Sequence, residues 1–154
     1  MAKWYRKAAE QDDVLAELNL GETYACGDGL APDQAEAMRW FHKAGDHGPA
    51  FAQLDIANLF SNGACVPQDY AEAAEWNRKA AEQGTAAAQF NLGVSYFDGR
   101  GVPQDYVLAH MWLNIAAAQG MEFAASKRAE VEAKMTPAQI AEAQRLAREW
   151  KPTK

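Results

Sequence analysis

Two nearly identical stretches decide the fold: VPQDYAEAAEWNRKAAEQG at residues 66–84 and VPQDYVLAHMWLNIAAAQG at residues 102–120. Each begins with VPQDY, carries a tryptophan ten residues after its valine and ends on Gln-Gly. Without a gap, residues 49–84 and 85–120 are identical at 15 of 36 positions. The chain therefore contains adjacent repeats with a period of 36 residues.

The 36-residue register extends through most of the chain. The recurring tryptophans are Trp4, Trp40, Trp76 and Trp112, and the recurring glycines are Gly27, Gly63 and Gly99 in one set and Gly48, Gly84 and Gly120 in another. Glycine readily adopts the left-handed conformation that ends a helix, and tryptophan fills the space between packed helices. We therefore interpret seven of these residues as structural repeat positions: Trp40, Trp76, Trp112, Gly63, Gly99, Gly84 and Gly120.

Each repeat is predicted to form two helices. The first, helix A, is predicted at about residues 13–26, 49–62 and 85–98, where apolar residues recur at helical spacing. The second, helix B, begins near an aspartate that can accept hydrogen bonds from its first turn. A single hairpin of this kind cannot bury its own apolar face, whereas stacked hairpins can. The predicted fold class is therefore all-α, a right-handed α/α solenoid (superhelix) of stacked two-helix repeats.

The repeats are expected to form one domain. Its predicted parts are residues 2–12 as helix B of an incomplete first repeat, 13–48, 49–84 and 85–120 as three full repeats, and 121–154 as C-terminal capping helices. The last helix has a clear start, with Thr136 as N-cap, Pro137 at the first helical position and Gln139 as capping-box partner. An atypical, charged terminal unit of this kind shields the open end of a solenoid.

The third repeat carries a family resemblance. Its pattern A-x-A-Q-F-N-L-G-x-x-Y-x-x-G-x-G-V-P-Q-D-Y-x-x-A-x-x-W, from Ala86 to Trp112, resembles the SEL-1-like repeat, a family of the tetratricopeptide-like helical repeats. The resemblance extends from residue 4 to about 120, and the tail KMTPAQIAEAQRLAREW is similar to the end cap of many bacterial members. It implies a non-catalytic scaffold or adaptor that binds a protein or peptide, without identifying the partner.

The two cysteines separate the chain from one part of this family. Some SEL-1-like proteins are secreted, carry a disulfide in each repeat and have a proposed β-lactamase or penicillin-binding activity. Cys26 and Cys65 are 39 residues apart and no repeat contains two cysteines, so the chain does not resemble that subgroup. We interpret both as small, partly buried residues near loops.

The resemblance implies a binding groove, because the A helices of such solenoids line the concave side. The predicted groove residues are Leu15, Asn19, Thr23, Phe51, Asp55, Leu59, Asn62, Asn91, Ser95 and Asp98. Amides and carboxylates can hold a peptide backbone, and Phe51 and Leu59 can accept an apolar anchor. Asp55 and Asp98 make the groove acidic, which favours a partner with positive charge.

A structural interpretation of the same residues stays open. Single exposed apolar residues are common on protein surfaces and need no function. Asn19 and Asn91, which share one position in the repeat, would then bond a neighbouring helix. A further alternative is self-assembly, in which Trp4 and Ala8 on the unpaired first helix dock on another copy of the chain.

The sequence contains no recognisable catalytic or metal-binding pattern. His42 and His47 lie five residues apart on one predicted helix, too far round for the i, i+4 pair that chelates a metal, and His110 is alone. We interpret the histidines as solvated residues of the convex face. No nucleophile elbow, phosphate loop or dinucleotide motif occurs. The chain is therefore expected to be no enzyme and to need no metal or cofactor; the alternative is a hydrolase acting on a cell-wall or β-lactam substrate.

Composition limits the partners and the compartment. The chain has 154 residues, a formal net charge of −6 and no basic cluster, so nucleic-acid binding is not expected. No apolar run is long enough to span a membrane. The N-terminal MAKWYRKAAEQDD lacks the apolar segment of a signal peptide, so the expected location is the cytoplasm, or the periplasm or exterior if a leader has been removed.

Overall fold

The structure is a computed structural model, and it describes residues 2–153. Within these residues it contains nine helices and no strand. The helices are α1 (Ala2–Ala9), α2 (Val14–Cys26), α3 (Gln34–His47), α4 (Ala50–Asn62), α5 (Tyr70–Glu82), α6 (Ala86–Asp98), α7 (Tyr106–Ala118), α8 (Glu122–Glu132) and α9 (Pro137–Glu149). The predicted all-α class is confirmed.

The helices follow the 36-residue period. Helices α2, α4, α6 and α8 begin 36 residues apart, and so do α3, α5 and α7. Helices α2, α4 and α6 are therefore the predicted A helices, and α3, α5 and α7 are the B helices. Each A helix ends at a glycine in the left-handed region, with φ of 80° at Gly27, 68° at Gly63 and 71° at Gly99. A side chain at these positions would be strained, which explains why glycine recurs there.

Side-chain caps fix several helix starts. Asp33 and Asp105 each accept a hydrogen bond at 3.0 Å from the backbone N–H three residues later, as predicted for helix B. Asp13 caps α2 in the same way. At α9, Thr136 and Gln139 form the reciprocal capping box that the sequence predicts.

The chain divides into two compact units, residues 1–69 and 70–154. The first unit comprises α1 to α4, and its core contains Leu20, Trp40, Phe41, Ile56 and Phe60. The Phe41 and Phe60 rings meet edge to face, with centroids 6.4 Å apart. This geometry suits the positive edge of one ring against the negative face of the other.

The second unit comprises α5 to α9. Its B helix α7 is the central element, since α6, α8 and α9 all pack on it. Gly93 on α6 allows a close approach, because a Cβ built there would lie 2.8 Å from Leu113 Cγ on α7. Trp76 and Trp112 are buried, and the Trp112 ring meets Trp150 edge to face at 5.8 Å.

The interpretation of the two cysteines as small, partly buried residues near loops is wrong about their burial, because both are exposed. Cys26 and Cys65 form a disulfide with their Cα atoms 4.9 Å apart. The bond joins the end of α2 to the loop after α4, so it links consecutive repeats rather than two positions of one repeat. Cys65 has φ of 64°, and it occupies the register position of Gly29 and Gly101, whose φ values are 79° and 75°. Cys65 thus adopts a left-handed backbone conformation at a position where the other two repeats have glycine.

The interpretation of the histidines also needs correction. His110 is 1% exposed, and its Nε2 lies 2.8 Å from Glu132 Oε1 on α8. His47 is exposed, but its Nε2 lies 2.6 Å from Oε2 of the fully buried Glu17. Both rings therefore connect a B helix to another helix of the same unit. His42 on α3 is exposed, as expected.

Candidate functional site

The predicted groove residues on α2 lie on its exposed face. Leu15 is 59% exposed and Asn19 is exposed. Thr23 is half-buried, and its hydroxyl donates to the Asn19 carbonyl at 2.7 Å. The Asn19 side chain is therefore free and exposed, whereas the Thr23 hydroxyl is engaged within its own helix.

Two concavities lie beside this face of α2. One, of about 330 Å³, is apolar and is lined by Trp4, Tyr5, Ala8, Asp13, Leu15, Ala16 and Asn19. The other, of about 220 Å³, is more polar and is lined by Ala2, Tyr5, Asn19, Glu22, Thr23, Cys26 and Asp28. Asn19 and Tyr5 border both. The surface between α1 and α2 therefore offers an apolar hollow next to an acidic one.

The groove residues on α4 continue this surface within the first unit. Phe51 is 46% exposed, Asp55 and Asn62 are exposed, and Leu59 is half-buried. Burial raises the pKa of Glu22 on α2, and the charge of Asp55 raises it further. Two carboxylates therefore lie near one another on neighbouring helices. Sequence reasoning missed Glu22, although its place three residues after Asn19 could have indicated it.

The groove residues on α6, in the second unit, are more engaged. Asn91 Nδ2 lies 3.3 Å from Asn77 Oδ1 on α5, and Ser95 donates its hydroxyl to the Asn91 carbonyl at 3.0 Å. The contact of Asn91 with a neighbouring helix is the one that the structural interpretation expects. Asp98 is exposed.

One register position presents an exposed apolar side chain repeatedly. Leu15, Phe51 and Phe123 are each the second residue of their helix and share one place in the 36-residue period, and they are 59%, 46% and 80% exposed. The fourth member, Ala87, is half-buried. Sequence reasoning missed Phe123, because residues 121–154 were assigned to the capping segment, but its spacing of 72 from Phe51 was a usable signal.

Buried amides hold successive helices together. Gln53 donates to the Gly45 carbonyl at 3.0 Å, and Gln89 donates to the Ala81 carbonyl at 3.1 Å, in equivalent places of the repeat. Glu17 occupies this position in the first repeat, where a carboxylate has no N–H to donate. Lys43 takes over that role, with Nζ 3.0 Å from the Ala9 carbonyl and 3.0 Å from Glu17 Oε1.

This substitution creates a cluster of charged groups. Ligand atoms of Asp12, Glu17 and His47 all lie within 4.8 Å of one another, a grouping that could hold a metal ion. Lys43 Nζ already lies 2.9 Å from Asp12 Oδ1, and this contact lowers the pKa of Asp12 and raises that of Lys43. A metal ion would have to displace this ammonium group. The cluster is therefore best described as an ion-pair network built around Lys43.

None of the helices in the described residues qualifies as a membrane-spanning segment. In the part of the chain that the structure describes, every helix is too short or too polar to cross a bilayer.

The 36-residue period, the paired helices and the buried tryptophans define a protein built from α-helical repeats. The sequence profile of the Sel1 repeat matches residues 2–13, 14–49, 50–85 and 86–121. The chain belongs to the Sel1 repeat family, and the solenoid fold class predicted from the sequence is confirmed. Members of this family are generally protein-interaction modules and are typically non-catalytic.

Two solved structures are similar over most of the chain. A protective antigen of uropathogenic Escherichia coli strains, which displays an SLR fold, is 38% identical with a TM-score of 0.76, over 97% of this chain and 32% of the antigen. A Sel1 repeat protein from Oxalobacter formigenes is 36% identical with a TM-score of 0.62, over 82% of this chain and 95% of that protein. The chain thus spans about a third of the antigen's length. A comparison with curated proteins gives no match.

Proposed function

We propose that the chain is a protein-interaction module that binds a partner along one face of α2 and α4. This face, called the acidic strip below, consists of Leu15, Asn19, Glu22, Phe51, Asp55 and Leu59. The observation that carries the proposal is the combination of exposed apolar side chains with two neighbouring carboxylates, Glu22 and Asp55, for which the described residues provide no ion pair. The proposal includes no catalytic step.

The chemistry of the acidic strip favours a basic and partly apolar partner. Burying a phenylalanine side chain contributes about 1.5–3 kcal/mol, so Phe51 can serve as an anchor. A lysine or arginine of the partner placed near Glu22 and Asp55 relieves their mutual repulsion. Such a contact lowers the raised pKa of Glu22, so binding releases protons where Glu22 is partly protonated in the free chain.

The proposal is tested by affinity capture from a lysate of the source organism. The bait proteins are the intact chain, a Phe51→Glu/Leu59→Glu variant, an Asp55→Lys variant and a Glu75→Lys control. Glu75 is exposed on the B helix α5, so its reversal changes the net charge by the same amount as that of Asp55. Circular dichroism checks that each bait keeps its helix content.

The expected result is a protein that the intact chain and Glu75→Lys retain and that the two strip variants lose. Retention by all four baits would place the site elsewhere on the chain. Loss only from the Glu75→Lys bait would place it on a B helix. The absence of any retained protein would count against an interaction module.

A second candidate function is self-association through α1. Trp4 is 77% exposed and borders the apolar hollow that also contains Leu15. A large exposed aromatic ring beside an apolar concavity is a common feature of interfaces. Sedimentation equilibrium distinguishes this candidate: a dimer that Trp4→Glu dissociates supports it, and a monomer at high concentration rules it out.

The disulfide leads us to propose an oxidising compartment for the chain, the periplasm or the cell exterior. Disulfides persist in such compartments and are rare in reducing ones. Alkylation of free thiols in intact cells followed by mass spectrometry tests this directly. Full protection of Cys26 and Cys65 until reductant is added is the expected result, and alkylation of both without reductant would contradict it.

A further inference from the structure

A cavity of about 500 Å³ lies in the second unit, between α7, α9 and the C-terminal tail. Its apolar lining includes Ile115, Ala118, Ala147, Trp150 and Pro152. This volume falls within the range of small-molecule sites, which combine mostly apolar walls with a few polar groups. The cavity belongs to neither the acidic strip nor the apolar hollow beside α1.

The tail that closes the cavity is held in place by specific contacts. Trp150 packs edge to face on the buried Trp112 at 5.8 Å. The backbone N–H of Thr153 donates to the Glu82 carbonyl at 2.7 Å, and its hydroxyl lies 3.2 Å from the same oxygen. Pro152 then lies against Gly84. The wall is therefore formed before any ligand enters, which reduces the entropy lost on binding.

The polar groups of the cavity are mainly hydrogen-bond donors. Arg148 borders it and has no ion pair or hydrogen bond to any described residue. Asn114 Oδ1 accepts a hydrogen bond from Arg128 Nη1 at 2.6 Å, which leaves the Asn114 NH2 group to donate into the cavity. Gln119 donates to Gln89 Oε1 at 2.7 Å, so its carbonyl oxygen is the remaining acceptor. Two donors, one of them a full positive charge, suit an anion.

The neighbouring arginine on α9 shows what is unusual about Arg148. Arg145 lies 2.6 Å from Glu142 and 2.7 Å from Glu149, so it is neutralised on its own helix. Arg148 has no such carboxylate and lies beside an apolar cavity. A ligand that supplies both an anion and an apolar body satisfies both halves of this site.

We propose that the cavity binds a small carboxylic acid with an apolar body. The carboxylate accepts hydrogen bonds from the Arg148 guanidinium and the Asn114 amide, and the apolar body lies against Trp150 and Ile115. A planar guanidinium pairs with a carboxylate through two parallel hydrogen bonds, which favours this anion over a monodentate one. Contact with the Trp150 ring favours an aromatic or branched body.

The proposal is tested by isothermal titration of the full chain with 4-phenylbutyrate and with its neutral analogue 4-phenylbutyramide. We expect saturable binding of the acid with one site per chain and at least about tenfold weaker binding of the amide, since a hydrogen bond to a charged group is worth more than one to a neutral group. Arg148→Gln should weaken binding of the acid about tenfold. Arg145→Gln is the matched control, and it should leave the affinity unchanged.

Three outcomes would overturn the proposal. The first is no saturable binding of the acid to the intact chain. The second is that a charged carboxylate has no advantage or Arg148 has no specific role. Equal affinity for acid and amide would show the former, and an equal loss of acid affinity in Arg148→Gln and Arg145→Gln would show the latter. The third is binding of a peptide that ends in a free leucine carboxylate without binding of 4-phenylbutyrate, which would assign the cavity to a protein terminus instead of a small molecule. Phe51→Glu should leave acid binding intact, which separates this test from that of the acidic strip.

Discussion

His47 Nε2 lies 2.6 Å from Glu17 Oε2. Two repeats later, at the equivalent positions, Gln119 Nε2 lies 2.7 Å from Gln89 Oε1. An imidazole and a carboxylate thus replace two amides at equivalent places of the repeat. A carboxylate at position 17 has no N–H group to donate to the Ala9 carbonyl. The Lys43 ammonium group donates to that carbonyl instead and also contacts Glu17 Oε1. The first repeat therefore keeps the hydrogen-bond geometry of the third repeat while changing its chemistry.

This relationship predicts how the network responds to substitution. Lys43→Met should destabilise the chain by roughly 1–2 kcal/mol, because Oε1 of the fully buried Glu17 loses its cation. Glu17→Gln should cost less than about 1 kcal/mol, since glutamine is the residue that the repeat places there. The double variant should be more stable than Lys43→Met alone. Urea denaturation measures all three, and a double variant no more stable than Lys43→Met would show that the amide does not replace the ion pair.

The disulfide gives a prediction that depends on the backbone of Cys65. Reduction should lower the free energy of unfolding by about 3–4 kcal/mol, because the bond closes a loop with a sequence separation of 39. In a Cys26→Ser background, Cys65→Gly should be about 1 kcal/mol more stable than Cys65→Ser, since φ of 64° suits glycine. Thermal unfolding without reductant compares the two variants. Equal stability would mean that the left-handed backbone relaxes once the bond is gone.

Helix spacing in the second unit predicts the effect of a single methyl group. Gly93→Ala should destabilise by about 1–3 kcal/mol, because the new Cβ would lie 2.8 Å from Leu113 Cγ. In a Leu113→Ala background, the same Gly93→Ala substitution should destabilise the chain less, since the smaller side chain leaves room for the new Cβ. A double-mutant cycle measured by urea denaturation isolates this coupling. Additive effects would show that α6 and α7 move apart instead.

Glu22 predicts a pH dependence of stability. Its folded pKa is raised above the ordinary 4.5, so its contribution to stability is fully present below pH 4.5 and is lost as pH rises through the raised value. Glu22→Gln should therefore stabilise the chain at pH 7, by less than about 1 kcal/mol because the group is partly exposed, and should have no such effect below pH 4. Glu75→Gln is the control, and it should show no rise in the free energy of unfolding at pH 7. A gain at both pH values would point to packing rather than charge.

The repeat register explains why much of the fold could be predicted. A fixed period places the glycines at helix ends, and the φ values of Gly27, Gly63 and Gly99 have the predicted sign. Trp40 and Trp76 are buried because the same packing position recurs in each repeat. Such features depend on local conformation and on a pattern that the sequence repeats several times.

The features that were missed depend on contacts between unlike positions. Cys26 and Cys65 belong to different places in the period, so a comparison of equivalent positions cannot pair them. His110 is buried and contacts Glu132 on α8, in the segment where the repeat pattern has faded, and Glu132 has no equivalent in the earlier repeats. Glu22 was missed because the prediction placed the exposed face of α2 at every fourth residue.

The most direct test of the acidic strip is hydrogen–deuterium exchange of the chain, free and bound to the protein captured from the lysate. We predict slower exchange in α2 and α4 on binding, centred on the turns that contain Asn19 and Asp55, with unchanged exchange in α3 and α5. Protection confined to α3, α5 or α7, or no protection in α2 and α4, would contradict the proposal that this face of the first unit is the binding surface.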